Sequence, residues 1–199
     1  MGSILFAPLW GHIFCHKDIL ADTKDHNPGT ANAFMQGGFW CGILTLAGDM
    51  GKGFLPVFSC IHLRAFFHVN MGDSLFSKVM FAFVLAAPVC GHAFSAYARF
   101  HGGKGIAVTF GCLLGFCPDL RPALLLAVLF LTFSLIVRIS PHYYRTLATY
   151  LCGVIFFLLW GETLEQKLGF TLITLIVCIR MHLSPERRGE CKVRLLWMH

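Results

Sequence analysis

The chain is 199 residues long; 56% of its residues are hydrophobic, 13% are charged, and the formal net charge is +6. Soluble globular domains carry a charge on about a quarter of their residues, so this composition excludes an ordinary soluble domain. The molecular surface must face lipid, and we expect an integral membrane protein.

The apolar runs predict an all-α fold, a polytopic membrane helix bundle of about seven transmembrane helices, contained in a single domain over residues 1–199. The runs at 33–47 and 53–63 are separated by Asp49, Lys52 and flanking glycines, and we interpret them as one long, broken span. Two further runs are shorter than the ~20 residues of a straight span, so we expect half-spans or helices shielded by their neighbours. These short runs lie at 3–16 and 106–117, and the remaining ones at 74–98, 121–137, 146–160 and 168–183.

Neither the start of the chain nor its cysteines carry a signal for processing or crosslinking. The first apolar run lacks a basic amino-terminal region and a small-x-small cleavage site, so we expect it to remain as the first helix. The nine cysteines are scattered through apolar runs without a CxxC pair. We therefore predict small, reduced core residues, with neither disulfides nor a metal site.

Basic residues are unevenly distributed between the two sides of the predicted bundle. If the N-terminus is outside, the loops at 17–32, 99–105 and 138–145 and the C-terminal tail lie inside, and they hold most of the lysines and arginines. The positive-inside rule therefore predicts an outside N-terminus and a cytoplasmic C-terminus. It also predicts that the glycine-rich loop at 102–105 faces the cytoplasm.

This glycine-rich loop joins two apolar runs. Residues 91–94 read Gly-His-Ala-Phe, and residues 102–105 read Gly-Gly-Lys-Gly. Glycines leave backbone N–H groups unshielded, and a helix that begins just downstream adds the positive end of its dipole to the lysine charge. The combination favours a phosphate site; the alternative is a tight turn between two membrane helices.

Three other polar groups interrupt the apolar pattern. Asn27 and Asn32 lie in a loop rich in turn formers, where they either bond their own backbone or present amides to a hydroxylated substrate. Asp49 and Lys52 are three residues apart, hence on one helix face, and we expect this pair to face the bundle interior near a polar site. Glu190, within a basic tail that attracts anionic head groups, either organises cations around a ligand or neutralises them.

These segments together resemble the PlsY family of bacterial membrane glycerol-3-phosphate acyltransferases, which use acyl phosphate as donor. The similarity rests on Asn-Pro-Gly-x-x-Asn at 27–32, Gly-Asp-x-x-Lys-Gly at 48–53, Gly-His-x-Phe at 91–94, Gly-Gly-Lys-Gly-x-Ala at 102–107 and a final His…Gly-Glu-x-Lys. It implies a seven-helix bundle in the bacterial inner membrane with its site open to the cytoplasm. The implied reaction acylates the sn-1 hydroxyl of glycerol 3-phosphate and forms lysophosphatidic acid and inorganic phosphate, without metal or coenzyme A.

The resemblance also implies roles for individual residues. A phosphate group is expected on the Lys104 side chain and the N–H groups of its glycine neighbours, and the catalyst mainly orients a hydroxyl and stabilises charge on the carbonyl oxygen. His92 is expected to act as base or as hydrogen-bond donor, although the leaving phosphate can itself accept the proton. The candidates are Gly102, Gly103, Lys104 and Gly105 for one phosphate, Arg99 and Arg188 for the other, Asn27 and Asn32 for the glycerol hydroxyls, and Glu190 for positioning a basic partner. We expect a monomer without a cofactor that contacts acyl phosphate, glycerol 3-phosphate and membrane lipids, but no nucleic acid.

Several positions depart from the family pattern. Asp25 stands in place of the family's serine, Met35 in place of its arginine and Ser95 in place of its proline, and no asparagine follows His182 in the shortened last motif. A second hypothesis is therefore a catalytically degenerate or re-specialised paralogue. A third, from another class, is a small transporter in which Asp49, Lys52 and Lys104 line a path for an anionic metabolite, although no inverted repeat is visible.

Overall fold

The computed structural model describes residues 1–16, 19, 27–66, 74–161, 163–184 and 189–196, and it confirms the predicted all-α architecture. Seven α-helices lie within these residues: α1 (Phe6–Trp10), α2 (Thr30–Phe66), α3 (Leu75–Ala93), α4 (Ile106–Leu114), α5 (Arg121–Leu131), α6 (His142–Trp160) and α7 (Leu164–Leu183). A π-helical turn at Gly11–Cys15 extends α1, and another at Thr132–Ile136 extends α5. The helices match the predicted apolar runs one for one.

Three described segments are long and apolar enough to cross a membrane on their own, namely Leu75–Ala98, His142–Trp160 and Leu164–Leu183. The two runs that seemed too short are short helices. Even with its π-helical turn, α1 ends at Cys15, and α4 has nine residues. At 1.5 Å per residue each is about 15 Å long, half the thickness of the hydrocarbon core. Both therefore depend on neighbouring helices for shielding.

The predicted break in the long second helix is in the wrong place. Helix α2 continues through Asp49 and Lys52, and its backbone leaves helical geometry at Gly38, where φ is 77° and ψ is −173°. The charged pair does not break the helix because the two side chains bond each other on one face. The kink lies at a glycine because a positive φ is strained for a residue with a Cβ atom.

The core lies between the long helices and is built from large apolar and aromatic side chains. The rings of Tyr150 and Phe170 stack with centroids 5.9 Å apart, and the Phe157 ring also stacks on Phe170, with centroids 4.5 Å apart. Leu85 of α3 and Ile173 of α7 are fully buried in the same cluster. This packing fixes α3 against α7, and so fixes the two helix ends that carry site residues.

The polar ends of several helices meet at one end of the bundle. Strand β1 (Ile139–Ser140), just before α6, pairs antiparallel with β2 (Lys192–Val193) of the C-terminal tail. The Arg180 side chain, in the last turn of α7, reaches the loop that follows α3. These contacts support the expectation that the loops at 99–105 and 138–145 and the tail share one side.

Candidate active site

A cavity of about 500 Å³ lies at this end of the bundle. Its walls come from the start of α2, the middle of α2, the end of α3, the start of α4 and the start of α6. Leu46, Met35 and Phe110 form an apolar part of the wall. The polar side chains on the wall are Asn27, Thr30, Asn32, Asp49, His92, Lys104 and His142. Five of these seven are residues that the sequence singled out.

A buried charged cluster forms the inner wall of the cavity. The Lys52 Nζ atom lies 2.8 Å from Asp49 Oδ1, 2.7 Å from His92 Nδ1 and 2.5 Å from the Ile4 carbonyl oxygen. The exposed fraction is 4% for Lys52, 0% for Asp49 and 3% for His92. The prediction that the Asp49–Lys52 pair faces the bundle interior is therefore confirmed.

The amino-terminal segment completes this cluster. In addition to the Ile4 carbonyl, the Phe6 ring lies under the Lys52 ammonium, 5.6 Å from its centroid. The Ser95 hydroxyl donates to the Ser3 carbonyl at 2.6 Å. A buried charge is tolerated only when partners satisfy it, and here the carboxylate, a carbonyl and a ring face share that task.

The glycine-rich loop folds back on the end of α3. The N–H groups of Gly102 and Gly103 donate to the carbonyls of Ala93 and His92 at 3.1 and 3.0 Å. Phosphate binding by these two N–H groups, as predicted from the sequence, would therefore require both hydrogen bonds to break. A Cβ atom at Gly102 would overlap the His92 carbonyl oxygen, and one at Gly103 would overlap His92 Nε2. The glycines thus serve close packing against His92.

Arg180 holds the same loop from the other side. This side chain is 7% exposed, and its Nε and Nη2 atoms donate to the Gly102 carbonyl at 3.1 and 2.6 Å. The sequence contained a signal for it, since an arginine near the end of an apolar span is costly unless it has a buried partner. Sequence reasoning counted Arg180 only as a topological charge.

Lys104 and the start of α4 form a positively charged part of the cavity wall. Gly105 caps α4 in the left-handed conformation with φ of 81°, and Ile106 and Ala107 of the first turn line the cavity beside Lys104. The N–H groups of a first helical turn have no partner within the helix and attract anions. An anion in the cavity would therefore meet the start of α4 and Lys104.

The two asparagines border the cavity at the start of α2. The Asn32 side-chain amide donates to the Asn27 backbone carbonyl at 2.8 Å, so it stabilises the local turn. Both residues also line the cavity. The two interpretations left open by the sequence are therefore compatible, because one amide N–H group is used in the turn while both side chains border the cavity.

Two exposed residues among the predicted site residues do not line the cavity. Arg99 is exposed and in the left-handed conformation, and Glu190 is exposed on the tail; neither is among the described residues that line the cavity. Arg188 lies outside the described residues, as does Asp25. Conversely, sequence reasoning missed His142, whose Nδ1 atom lies 2.8 Å from Arg145 Nη2. Within the described part of the chain, no three His, Cys, Asp or Glu side chains cluster as metal ligands do.

Comparison with known proteins gives a consistent result. The family model for glycerol-3-phosphate acyltransferase matches residues 1–188. A glycerol-3-phosphate acyltransferase of Lactococcus lactis is 35% identical over 174 residues, which cover 86% of this chain and 71% of the relative. One from Pseudomonas paraeruginosa is 39% identical over 137 residues, 68% of this chain but only 65% of the relative's length.

Solved structures show the same fold. A crystal structure of PlsY, an integral membrane glycerol 3-phosphate acyltransferase, in its glycerol 3-phosphate form superposes with a TM-score of 0.71 and covers 91% of this chain and 82% of that protein, at 22% identity. Its lysophosphatidic acid form gives a TM-score of 0.68 at 21% identity. At this identity the similarity establishes a common helical membrane architecture.

Proposed function

Because the chain belongs to the glycerol-3-phosphate acyltransferase (PlsY) family, we propose that it transfers an acyl group from acyl phosphate to the sn-1 hydroxyl of glycerol 3-phosphate. The products are lysophosphatidic acid and inorganic phosphate. One observation carries this proposal: a single cavity joins Lys104 and the start of α4 to Asn27, Asn32 and His92. An electropositive wall for phosphate thus faces groups that bind hydroxyl and carbonyl oxygens.

The chemistry follows from these positions. Acyl phosphate is a mixed anhydride, so the protein has to hold it beside the acceptor and stabilise negative charge on the carbonyl oxygen. The Lys104 ammonium and the first-turn N–H groups of α4 bind a phosphate group. The asparagine side chains orient the glycerol hydroxyls, and the apolar wall near Leu46 and Phe110 accepts the start of the acyl chain. The hydroxyl oxygen bonds to the acyl carbon, the bond from that carbon to phosphate breaks, and the released phosphate takes the proton.

The proposal includes a location. The cavity lies at the end of the bundle where the predicted inner loops and the basic tail meet, so the positive-inside rule places it on the cytoplasmic face. The similar proteins from Lactococcus and Pseudomonas are bacterial. We therefore assign the protein to the bacterial inner membrane, as a monomer that works as one domain over residues 1–199.

The direct test is phosphate release by protein purified in detergent and supplied with palmitoyl phosphate and glycerol 3-phosphate. We expect turnover that Lys104→Ala lowers by about 100-fold or more, since a preorganised charge on the reacting phosphate is lost. Lys167→Ala is the matched control, because Lys167 lies in the first turn of α7 and does not line the cavity. A rate equal to that of a protein-free sample would contradict the proposal.

The second candidate, a degenerate or re-specialised paralogue, has one observation in its favour. Met35 is 70% exposed and lines the cavity at the position where the family resemblance implies an arginine. A thioether cannot pair with a phosphate charge. Rescue of an acyltransferase-deficient bacterial strain by this chain alone would exclude the paralogue hypothesis, whereas no rescue by a well-expressed protein would favour it.

A further inference from the structure

We propose that Lys52, held by Asp49, is a positioning residue that fixes His92 in the neutral tautomer with its proton on Nε2. His92 then serves the reaction as a hydrogen-bond donor and not as a general base. This inference rests on the proposed function and goes beyond it, because the family resemblance left both roles open. It follows from which groups around Lys52 can donate and which can only accept.

The surroundings of Lys52 determine the direction of each hydrogen bond. An ammonium group has three hydrogens and no acceptor, and Nζ has three close neighbours, namely Asp49 Oδ1, the Ile4 carbonyl and His92 Nδ1. A carboxylate and a carbonyl can only accept. The Asp49 carboxylate at 2.8 Å favours the charged form of Lys52. The third N–H bond is therefore donated to His92 Nδ1.

The consequence for His92 is a defined tautomer. A ring nitrogen that accepts a hydrogen bond carries no proton, so the neutral imidazole has its proton on the other nitrogen. A doubly protonated ring would place an N–H group against the ammonium at 2.7 Å, which like-charge repulsion opposes. The Nε2 atom therefore carries the N–H group.

Of the two ring nitrogens, Nε2 is the one that faces the glycine-rich loop. It lies against Gly103, where an added Cβ atom would meet Nε2 before any other atom, and His92 borders the same cavity as Lys104. An N–H donor beside the phosphate site stabilises an oxygen that gains negative charge, here the carbonyl oxygen of acyl phosphate. No base is required, because the released phosphate takes the hydroxyl proton.

Two amide substitutions separate a donor at Nε2 from a base. The glutamine amide nitrogen reaches close to the position of Nε2, whereas the asparagine amide nitrogen corresponds to Nδ1. We expect His92→Gln to retain kcat within about tenfold of the wild type and His92→Asn and His92→Ala to lose about 100-fold. Equal losses for the glutamine and alanine variants would overturn the donor role, because neither variant contains a base.

The tautomer itself can be measured without turnover. In protein labelled with ¹⁵N-histidine, the two ring nitrogens have different shifts, and the His92 signals are those that disappear in His92→Gln. We expect a protonated Nε2 in the wild type and a mixture of tautomers in Asp49→Leu/Lys52→Met, which removes both charges together and leaves no lone buried ion. A proton on Nδ1, or an unchanged spectrum in the double variant, would overturn the proposal. An inactive wild type would contradict only the proposed function, since the nitrogen shifts would still decide the tautomer.

Discussion

At the scale of single residues, Gly103 is in close contact with the His92 ring. No side chain fits at Gly103 without displacing Nε2. Gly103→Ala should therefore lower kcat/KM at least tenfold by moving the ring away from the phosphate site. Gly51→Ala is the control, because a Cβ atom at Gly51 meets nothing within 4 Å and alanine favours the helix by up to about 1 kcal/mol. Full activity of purified Gly103→Ala would show that the ring position is unimportant.

Replacing Met35 with arginine is expected to strengthen substrate binding. Its side chain is exposed on the cavity wall, so an arginine there has room and adds a guanidinium that pairs with phosphate in two parallel hydrogen bonds. We expect Met35→Arg to lower the KM for glycerol 3-phosphate about tenfold with little change in kcat. Met35→Gln, a neutral side chain of similar length, is the control. An arginine variant with the KM of the glutamine variant would show that this wall does not contact the phosphate.

Residues of the site differ in how well the sequence predicted them. Asp49 and Lys52 stood out because charges are rare in apolar runs, and the motif around Lys104 pointed to a phosphate. The occupied N–H groups of Gly102 and Gly103 were not predictable, because their carbonyl partners come from the way the loop folds back on α3. His142 lacked any local signal; it becomes part of the site only because α6 begins beside the cavity.

At the scale of elements, helix α2 shows that charged residues within an apolar run do not always break a helix. The polar interruption at 49–52 suggested a break within one long span, but a charge can stay within a helix when its partner lies one turn away. The real kink at Gly38 lies inside an apolar run that contains the pair Gly37 and Gly38. The sequence thus predicted the number and order of the helices, while the backbone geometry within α2 depended on tertiary packing.

Helix α7 supports the site through the buried side chain of Arg180. Its removal leaves the Gly102 carbonyl without its two hydrogen bonds, which costs on the order of 1–3 kcal/mol for a buried group. We expect Arg180→Gln to lower kcat/KM by roughly 10-fold to 100-fold through a displaced Lys104, and Arg180→Lys to restore part of the loss.

The control for Arg180 is Arg121→Gln, which alters an exposed arginine paired with Asp119 outside the cavity. Kinetics with each substrate varied in turn separate binding from turnover, and a melting curve of each variant monitors the fold. A purely structural arginine would lower the melting temperature while kcat and KM of the folded fraction stay at wild-type values. That result would show that Arg180 does not position the loop for the reaction.

At the scale of the whole molecule, segments far apart in sequence meet at one end of the bundle. The loop after α3, the start of α6 and the C-terminal tail converge there through the Arg180–Gly102 and β1–β2 contacts. The charge distribution predicted this grouping, because the same segments carry most of the cations. Charge counting does not supply the distances within the site, since those depend on how α3 and α7 pack.

The orientation of this end in the membrane gives the last prediction. Leu120 lies just before α5. Cys191 adjoins β2, which pairs with β1 beyond the other end of α5, so the two positions lie at opposite ends of that helix. Both residues are exposed. In a background without other cysteines, a membrane-impermeant maleimide added to intact bacterial cells should label Leu120→Cys and spare Cys191. Permeabilised cells provide the control, in which both positions should react. The positive-inside rule predicts that the basic end lies in the cytoplasm. Labelling of Cys191 in intact cells would contradict that orientation and would put the cavity on the outer face of the membrane.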